Sequence, residues 1–214
     1  MNRLLTYTQK HWLWIVANVA ALLPLVLLLW SFAQGAYIDP LAKFTNRTGY
    51  MALVLLVVSI AVTPAVSLTG FRKLNTVRKS MGLQGFFYAS LHLLVFIGLD
   101  YGFRISDILG DALLSKRYVI VGFTAFLLLI PLAVTSTRGW MRRLGKRWKK
   151  LHQLIYLIVP LGVLHFWWVE KIPSEPFVYA VVVALLLLAR VPPVRKRLNS
   201  VRQLLDRKPA PSAA

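Results

Sequence analysis

The chain has 214 residues, 57% of them hydrophobic and 15% charged, with 26 Lys and Arg against 7 Asp and Glu and a formal net charge of +19. Its apolar runs are long enough to cross a hydrocarbon core, which sets aside the one or two soluble domains that length alone would suggest. The chain has no cysteine, which excludes disulfides and thiolate-ligated metal clusters.

Six apolar runs follow in order. The first, Trp12–Ile38, comes after Arg3 and Lys10 and contains Ser31-Phe32-Ala33, an arrangement resembling a signal peptide. Its 27 uncharged residues exceed an ordinary signal core, so we read an uncleaved membrane helix. Gln34–Arg47, with Gly35 and Asp39-Pro40 as turn formers, leads to the second run, Thr48–Phe71. A loop over Thr69–Ser80 carries Arg72, Lys73, Arg78 and Lys79 ahead of the third run, Met81–Leu99. The segment Asp100–Arg117 holds Asp100, Asp107 and Asp111, with room for a short surface helix. The fourth run is Tyr118–Thr137, and Arg138–Lys150 after it is the most basic stretch of the chain.

The fifth run is Leu151–Val169. The sixth, Phe177–Ala189, has only 13 residues and reaches spanning length if Arg190 snorkels and the helix continues towards Val194. Pro192-Pro193 then interrupts the helical pattern. Beyond it, Val194, Leu198, Val201 and Leu205 recur among Arg195, Lys196, Arg197 and Arg202, which predicts a basic amphipathic helix lying on membrane lipid. Lys208–Ala214 reads as an unstructured tail, and no internal repeat is legible. The expected fold is an all-α membrane protein: a six-helix transmembrane bundle over residues 1–193, with the amphipathic helix and tail in 194–214.

Charge sets the orientation. With the N-terminus in the cytoplasm and six alternating spans, the stretches 1–11, 69–80, 138–150 and 190–214 carry 20 Lys and Arg, leaving 6 on the other side together with six of the seven acids. This positive-inside asymmetry places both termini in the cytoplasm. A nucleic-acid-binding protein would gather its basic residues on one folded face, so no nucleic-acid partner is expected.

Ionisable groups are otherwise scarce in the runs, so His92, His152 and His165 stand out, because a bilayer tolerates such groups mainly where they have a role and a partner. His92 lies 13 residues beyond Lys79 and His165 lies 15 beyond Lys150, about 20 and 22 Å of helical rise. The two imidazoles therefore reach similar depth on parallel helices, as bis-histidine ligation of a haem iron requires. Without cysteine the haem would be held non-covalently. His152 sits at the inner end of the fifth run, 13 residues before His165, about 20 Å lower. That separation suits a second haem near the inner face. An ideal helix would turn the two rings about 140° apart, and Pro160 and Gly162 between them offer a source of distortion.

The inner position opposite His152 has no second histidine, since counting back from His92 reaches Lys79 or Arg78. Either an inner haem has one imidazole and an unusual or absent sixth ligand, or there is one haem. Arg78, Lys79, Lys146 and Arg147 inside, and Arg47, Arg104 and Lys171 outside, are candidates for haem propionates; positive-inside topology explains the inner group equally well. Trp148, Phe166, Trp167 and Trp168 fit either porphyrin faces or an interfacial aromatic belt.

The order and spacing of several segments resemble the MsrQ (YedZ) family, the haem-binding membrane subunits of periplasmic protein-methionine-sulfoxide reductase systems within the ferric-reductase-like transmembrane group. These segments are Arg47-Thr48-Gly49, Thr63-Pro64, Arg78 through Gly82-Leu83 to Leu91-His92-Leu93, Thr135-Ser136, Leu144 to Trp148 with Leu151-His152, and His165 to Val169 with Lys171. The resemblance implies a b-type cytochrome with His92, His152 and His165 at ligand positions. It further implies electrons taken from the quinone pool or a cytoplasmic flavoprotein, FMN as a further cofactor, and a periplasmic molybdenum-containing partner that reduces methionine sulfoxide in oxidised envelope proteins. The chain has no G-x-G-x-x-G, so no dinucleotide-binding unit supplies electrons from within it. A small transporter or channel is the competing reading, although such proteins usually bury an acid or a charged pair within a span. An intramembrane hydrolase lacks a nucleophile–base arrangement, since Ser59, Ser67 and Ser90 have no supporting motif.

Overall fold

The computed structural model describes residues 2–108, 110 and 116–205; Asp111 and the expected tail Lys208–Ala214 lie outside them. The described residues form an all-α membrane protein. Its helices are α1 (Asn2–Ala33), α2 (Pro40–Thr69), α3 (Asn75–Val95), α4 (Ile105–Asp107), α5 (Arg117–Val134), α6 (Arg138–Leu144), α7 (Lys146–Leu151), α8 (Ile155–Val169), α9 (Ser174–Leu188) and α10 (Pro192–Leu205). Among the described residues, five stretches are long and apolar enough to cross a membrane: His11–Ala33, Pro40–Thr69, Arg72–Asp100, Arg117–Val134 and Lys146–Val169.

Helix boundaries move into what the sequence suggested were loops, for local reasons. Asp39-Pro40 starts a helix instead of making a turn. Asp39 accepts a hydrogen bond from the Ala42 N–H at 2.9 Å, and Pro40 occupies the first helical turn, where its missing N–H costs nothing. Gly70 ends α2 in the left-handed conformation at φ 71°. The basic stretch after α2 shrinks to a 3₁₀ turn, Arg72–Leu74, so Arg78 and Lys79 stand on α3. Arg138–Lys150 is helical too, broken at Gly145 (φ +50°) between α6 and α7.

The sixth run departs most from its expected course. Helix α9 stops at Leu188 without reaching Val194, and the chain bends by 86° into α10. Counted together as one bent span, they would bring the candidate spans among the described residues from five to six. Pro192 and Pro193 form the first turn of α10, where proline is tolerated. Arg190 does not snorkel outward. Its guanidinium turns into the bundle and donates to the Tyr156 hydroxyl and the Ile60 carbonyl. Pro64 explains the second bond, because it lies four residues after Ile60 and has no N–H to satisfy that carbonyl.

Packing is most extensive between α2 and α3 and between α5 and α8. One core joins Leu53, Leu56, Val57 and Ile60 of α2 to Ala125, Leu129 and Leu132 of α5, Ile158, Val159 and Val163 of α8, and Val183 of α9. A second ties Ala21 of α1 to α2 and α3 through Leu55, Val62, Met81 and Tyr88. Tyr88 is buried and donates to the Ala21 carbonyl at 2.8 Å. Two antiparallel hairpins, α2–α3 and α5–α8, thus form the centre of the bundle.

Candidate functional site

His92 on α3 and His165 on α8 meet between the hairpins, with ring centroids 6.0 Å apart and planes at 81°. Each ring is anchored from behind. His92 Nδ1 lies 2.9 Å from the Thr45 carbonyl oxygen of α2, and His165 Nδ1 lies 2.8 Å from the Tyr118 carbonyl oxygen of α5. A carbonyl can only accept, so both Nδ1 atoms carry the proton and both Nε2 atoms keep a lone pair for a metal. Metal-ligating histidines are held in this way, with the second nitrogen donating to a carbonyl that fixes tautomer and ring orientation.

Two glycines allow the rings to lie flush on the helices behind them. A Cβ at Gly49 would fall 2.9 Å from His92 Nδ1, and one at Gly122 would fall 2.6 Å from His165 Nδ1. Neither approach leaves room for a side chain.

The two cradles are copies of one arrangement. Shifting residue numbers by 73 carries Thr45, Gly49 and His92 onto Tyr118, Gly122 and His165, and carbonyl and histidine are 47 residues apart in both. The match is one of local geometry, a carbonyl, a glycine and a histidine at the same spacing in both hairpins. The signal was the shared Gly-to-His spacing of 43 residues. Thr45, Gly49, Tyr118 and Gly122 are the site residues that sequence reasoning missed.

The same shift places Lys79 where the second hairpin has His152, and this end of the hairpins is unlike the other. His152 lies on a 3₁₀ turn, His152–Leu154, between α7 and α8. Its Nε2 is 3.0 Å from Thr135 Oγ1. The Thr135 hydroxyl donates its one proton to the Pro131 carbonyl at 2.6 Å, so at Nε2 His152 is the donor. The ring stacks on Trp148, centroids 4.0 Å apart and planes at 28°, and Trp148 Nε1 donates to the Thr135 carbonyl at 2.9 Å. His165 thus meets the first turn of α5 and His152 its C-terminal cap, with the 3₁₀ turn His152–Leu154 leading into α8.

Arg78, Lys79 and Arg147 all stand exposed at the basic end of the bundle, and Arg78 is near enough for its charge to act on His152. Among the aromatics, Phe166 packs edge-on against Tyr50 and Tyr179. Trp167 and Trp168 are 39% and 47% exposed, as residues of an interfacial belt would be.

Among the described residues no group of three or more His, Cys, Asp or Glu could hold a metal ion. Two imidazoles are too few for a closed structural zinc site, which takes four protein ligands. They do suit an iron that brings its own equatorial nitrogens. Two metal–imidazole bonds of about 2 Å each, with the ring radii added, come close to the observed 6.0 Å between centroids.

The chain is also similar to known proteins. Residues 48–163 match the family described as ferric reductase like transmembrane component. The chain is 46% identical over 208 residues to the protein-methionine-sulfoxide reductase heme-binding subunit MsrQ of Xanthomonas campestris pv. campestris (strain 8004), covering 92% of each chain. It is 44% identical over 210 residues to the protein of the same name from Xanthomonas axonopodis pv. citri (strain 306), covering 93% of each. With that of Herminiimonas arsenicoxydans the identity is 40% over 178 residues, 81% of each. On this identity across nearly its whole length, and on the transmembrane component it contains, the chain belongs to the MsrQ family of ferric-reductase-like membrane proteins.

Proposed function

We propose that this protein is a haem-binding electron-transfer subunit, a b-type cytochrome in which His92 and His165 would hold the iron of a haem near the periplasmic face. The observation that carries this reading is the pair of imidazoles 6.0 Å apart, each with Nδ1 tied to a backbone carbonyl. When bound, haem supplies one-electron exchange at an iron whose potential depends on axial ligands, hydrogen bonding and burial. The chain's own residues hold that environment constant. Thr45 and Tyr118 fix the tautomers, and Gly49 and Gly122 set ring depth.

His152, with Arg78, Lys79 and Arg147, forms the cytoplasmic counterpart in this reading and takes part in electron uptake. Ligation of a second haem there through Nε2 would require His152 to release Thr135. Electrons arrive from the quinone pool or a cytoplasmic flavoprotein, with FMN as a possible second cofactor. They leave to a periplasmic molybdenum-containing subunit that reduces methionine sulfoxide in oxidised envelope proteins. The relatives' names, which describe a heme-binding subunit of a protein-methionine-sulfoxide reductase, support that destination. Residues 1–193 form the haem-binding transmembrane domain, and 194–214 a surface helix and tail in the cytoplasm of a bacterial inner membrane.

A visible spectrum of the purified protein is the test. We expect a Soret band and a sharp reduced α-band, with the low-spin signal lost in His92→Ala. A protein with no Soret band after supply of haem would sink the reading and leave the transporter alternative standing.

A further inference from the structure

At the basic end of the bundle, away from the histidine pair, α2, α8 and the α9–α10 elbow border a partly open cavity of about 180 Å³ lined by Thr63, Pro64, Ser67, Tyr156, Arg190 and Arg195. Its chemistry is unbalanced. Arg190 is half-buried, with two of its nitrogens committed to the Ile60 carbonyl and the Tyr156 hydroxyl and its Cζ 4.7 Å from the Tyr156 ring centroid. Its Nε is buried with no hydrogen-bond partner, and so is Thr63 Oγ1. A buried donor left unmade is expensive, and most such groups in native proteins have a partner.

The charge is equally uncompensated. Arg78 and Arg195 act on Arg190 as like charges. Among the described residues no carboxylate pairs with Arg190 or Arg195, because Asp39, Asp100, Asp107, Glu170 and Glu175 all belong to the opposite end. Asp206 lies outside the described residues. A cation withdrawn from water normally comes with an anionic partner, and nothing described in this chain supplies one.

We propose that this cavity binds a phosphate ester. Thr63 and Ser67 of α2, Arg190 of the α9–α10 elbow and Arg195 of α10 border the cavity from different sides. That arrangement suits the tetrahedral oxygens of a phosphate better than the planar pair of a carboxylate, and guanidinium groups are the usual partners of phosphate. The cavity lies where α10 turns 86° away from α9, beside a basic surface helix. A bilayer presents phosphate headgroups at that level, and basic pockets between membrane helices recognise them. The phosphate comes either from an anionic lipid or from a soluble phosphorylated molecule, and experiment separates the two.

The full-length protein is reconstituted into nanodiscs of phosphatidylcholine alone or mixed with phosphatidylglycerol, and retained lipid is counted by native mass spectrometry. In parallel, thermal unfolding in detergent is followed as inorganic phosphate is titrated in. Retention of one phosphatidylglycerol assigns a lipid headgroup; a phosphate-dependent rise in melting temperature without lipid retention assigns a soluble phosphate ester. Either result supports the site. Thr63→Val and Arg195→Gln should weaken the response about tenfold. Arg197→Gln, exposed on α10, and Asp206→Asn should leave it unchanged. Arg190→Lys keeps the charge but loses the fork, and should bind more weakly than the wild type even if Arg190→Gln fails to fold. No response in either arm, or equal responses in wild type, Thr63→Val and Arg195→Gln, overturns the proposal, as does loss of binding in Asp206→Asn.

Discussion

The two ends of the paired hairpins are built differently. At the acidic end both hairpins have the same three parts: a carbonyl, a glycine one helical turn later and a histidine 47 residues beyond the carbonyl. At the basic end the hairpins differ, with Lys79 exposed on one and His152 stacked on Trp148 and bonded to Thr135 on the other. The symmetry holds where the two imidazoles lie beside each other, 6.0 Å apart. Where only one imidazole is present, its neighbours can absorb it into a local hydrogen-bond network.

Several substitutions break or sharpen this contrast. The largest expected effect is the difference between His165→Ala and His152→Ala. The first should abolish the low-spin reduced α-band, whereas the second should keep that band and slow reduction by the physiological donor; equal loss in both variants would erase the distinction between the two ends. Next comes Gly122→Ala, whose methyl would meet His165 Nδ1 at 2.6 Å. Overpacking of this kind destabilises by about 1–3 kcal/mol, and most of the bound haem should be lost, as measured by pyridine haemochrome assay. Gly49→Ala should act in the same direction but less strongly, because its contact is looser at 2.9 Å; a reversed ranking would argue against the glycines as the determinants of ring depth.

The inner network should be more forgiving. Thr135→Val removes the acceptor at His152 Nε2, and hydrogen bonds within membrane bundles are worth about 0.6 kcal/mol on average and 1.7 at most. We therefore expect a small drop in thermal stability and an unchanged α-band. Trp148→Phe keeps a stacking partner for His152 and loses only the Nε1 bond to the Thr135 carbonyl. Its cost should be the smallest, about 0.6 kcal/mol, measurable by reversible unfolding in mixed micelles.

Much of the membrane architecture was legible because each span is a local property. Twenty or so apolar residues need a hydrogen-bonded helix in lipid wherever they occur, and the pairing of His92 with His165 followed from counting helical rise from the basic boundaries. Boundaries were harder to read. Asp39-Pro40 looked like a turn and serves as a cap with a first helical residue, since the same residue types favour both. The α9 run was expected to continue through Arg190, but the guanidinium finds an unsatisfied carbonyl at Ile60 inside the bundle, a partner that no spacing within α9 announces.

Composition and periodicity alone determined that this chain is an all-α membrane protein with two histidines at a common depth, because hydrophobic length and helical rise are written one residue at a time. Only the tertiary structure decided which nitrogen of each ring is free, that glycines on neighbouring helices seat those rings, and that His152 is held by Thr135 and Trp148. These depend on contacts between residues tens of positions apart, such as the 47 that separate His165 from Tyr118. Such contacts exist only once helices have packed side by side.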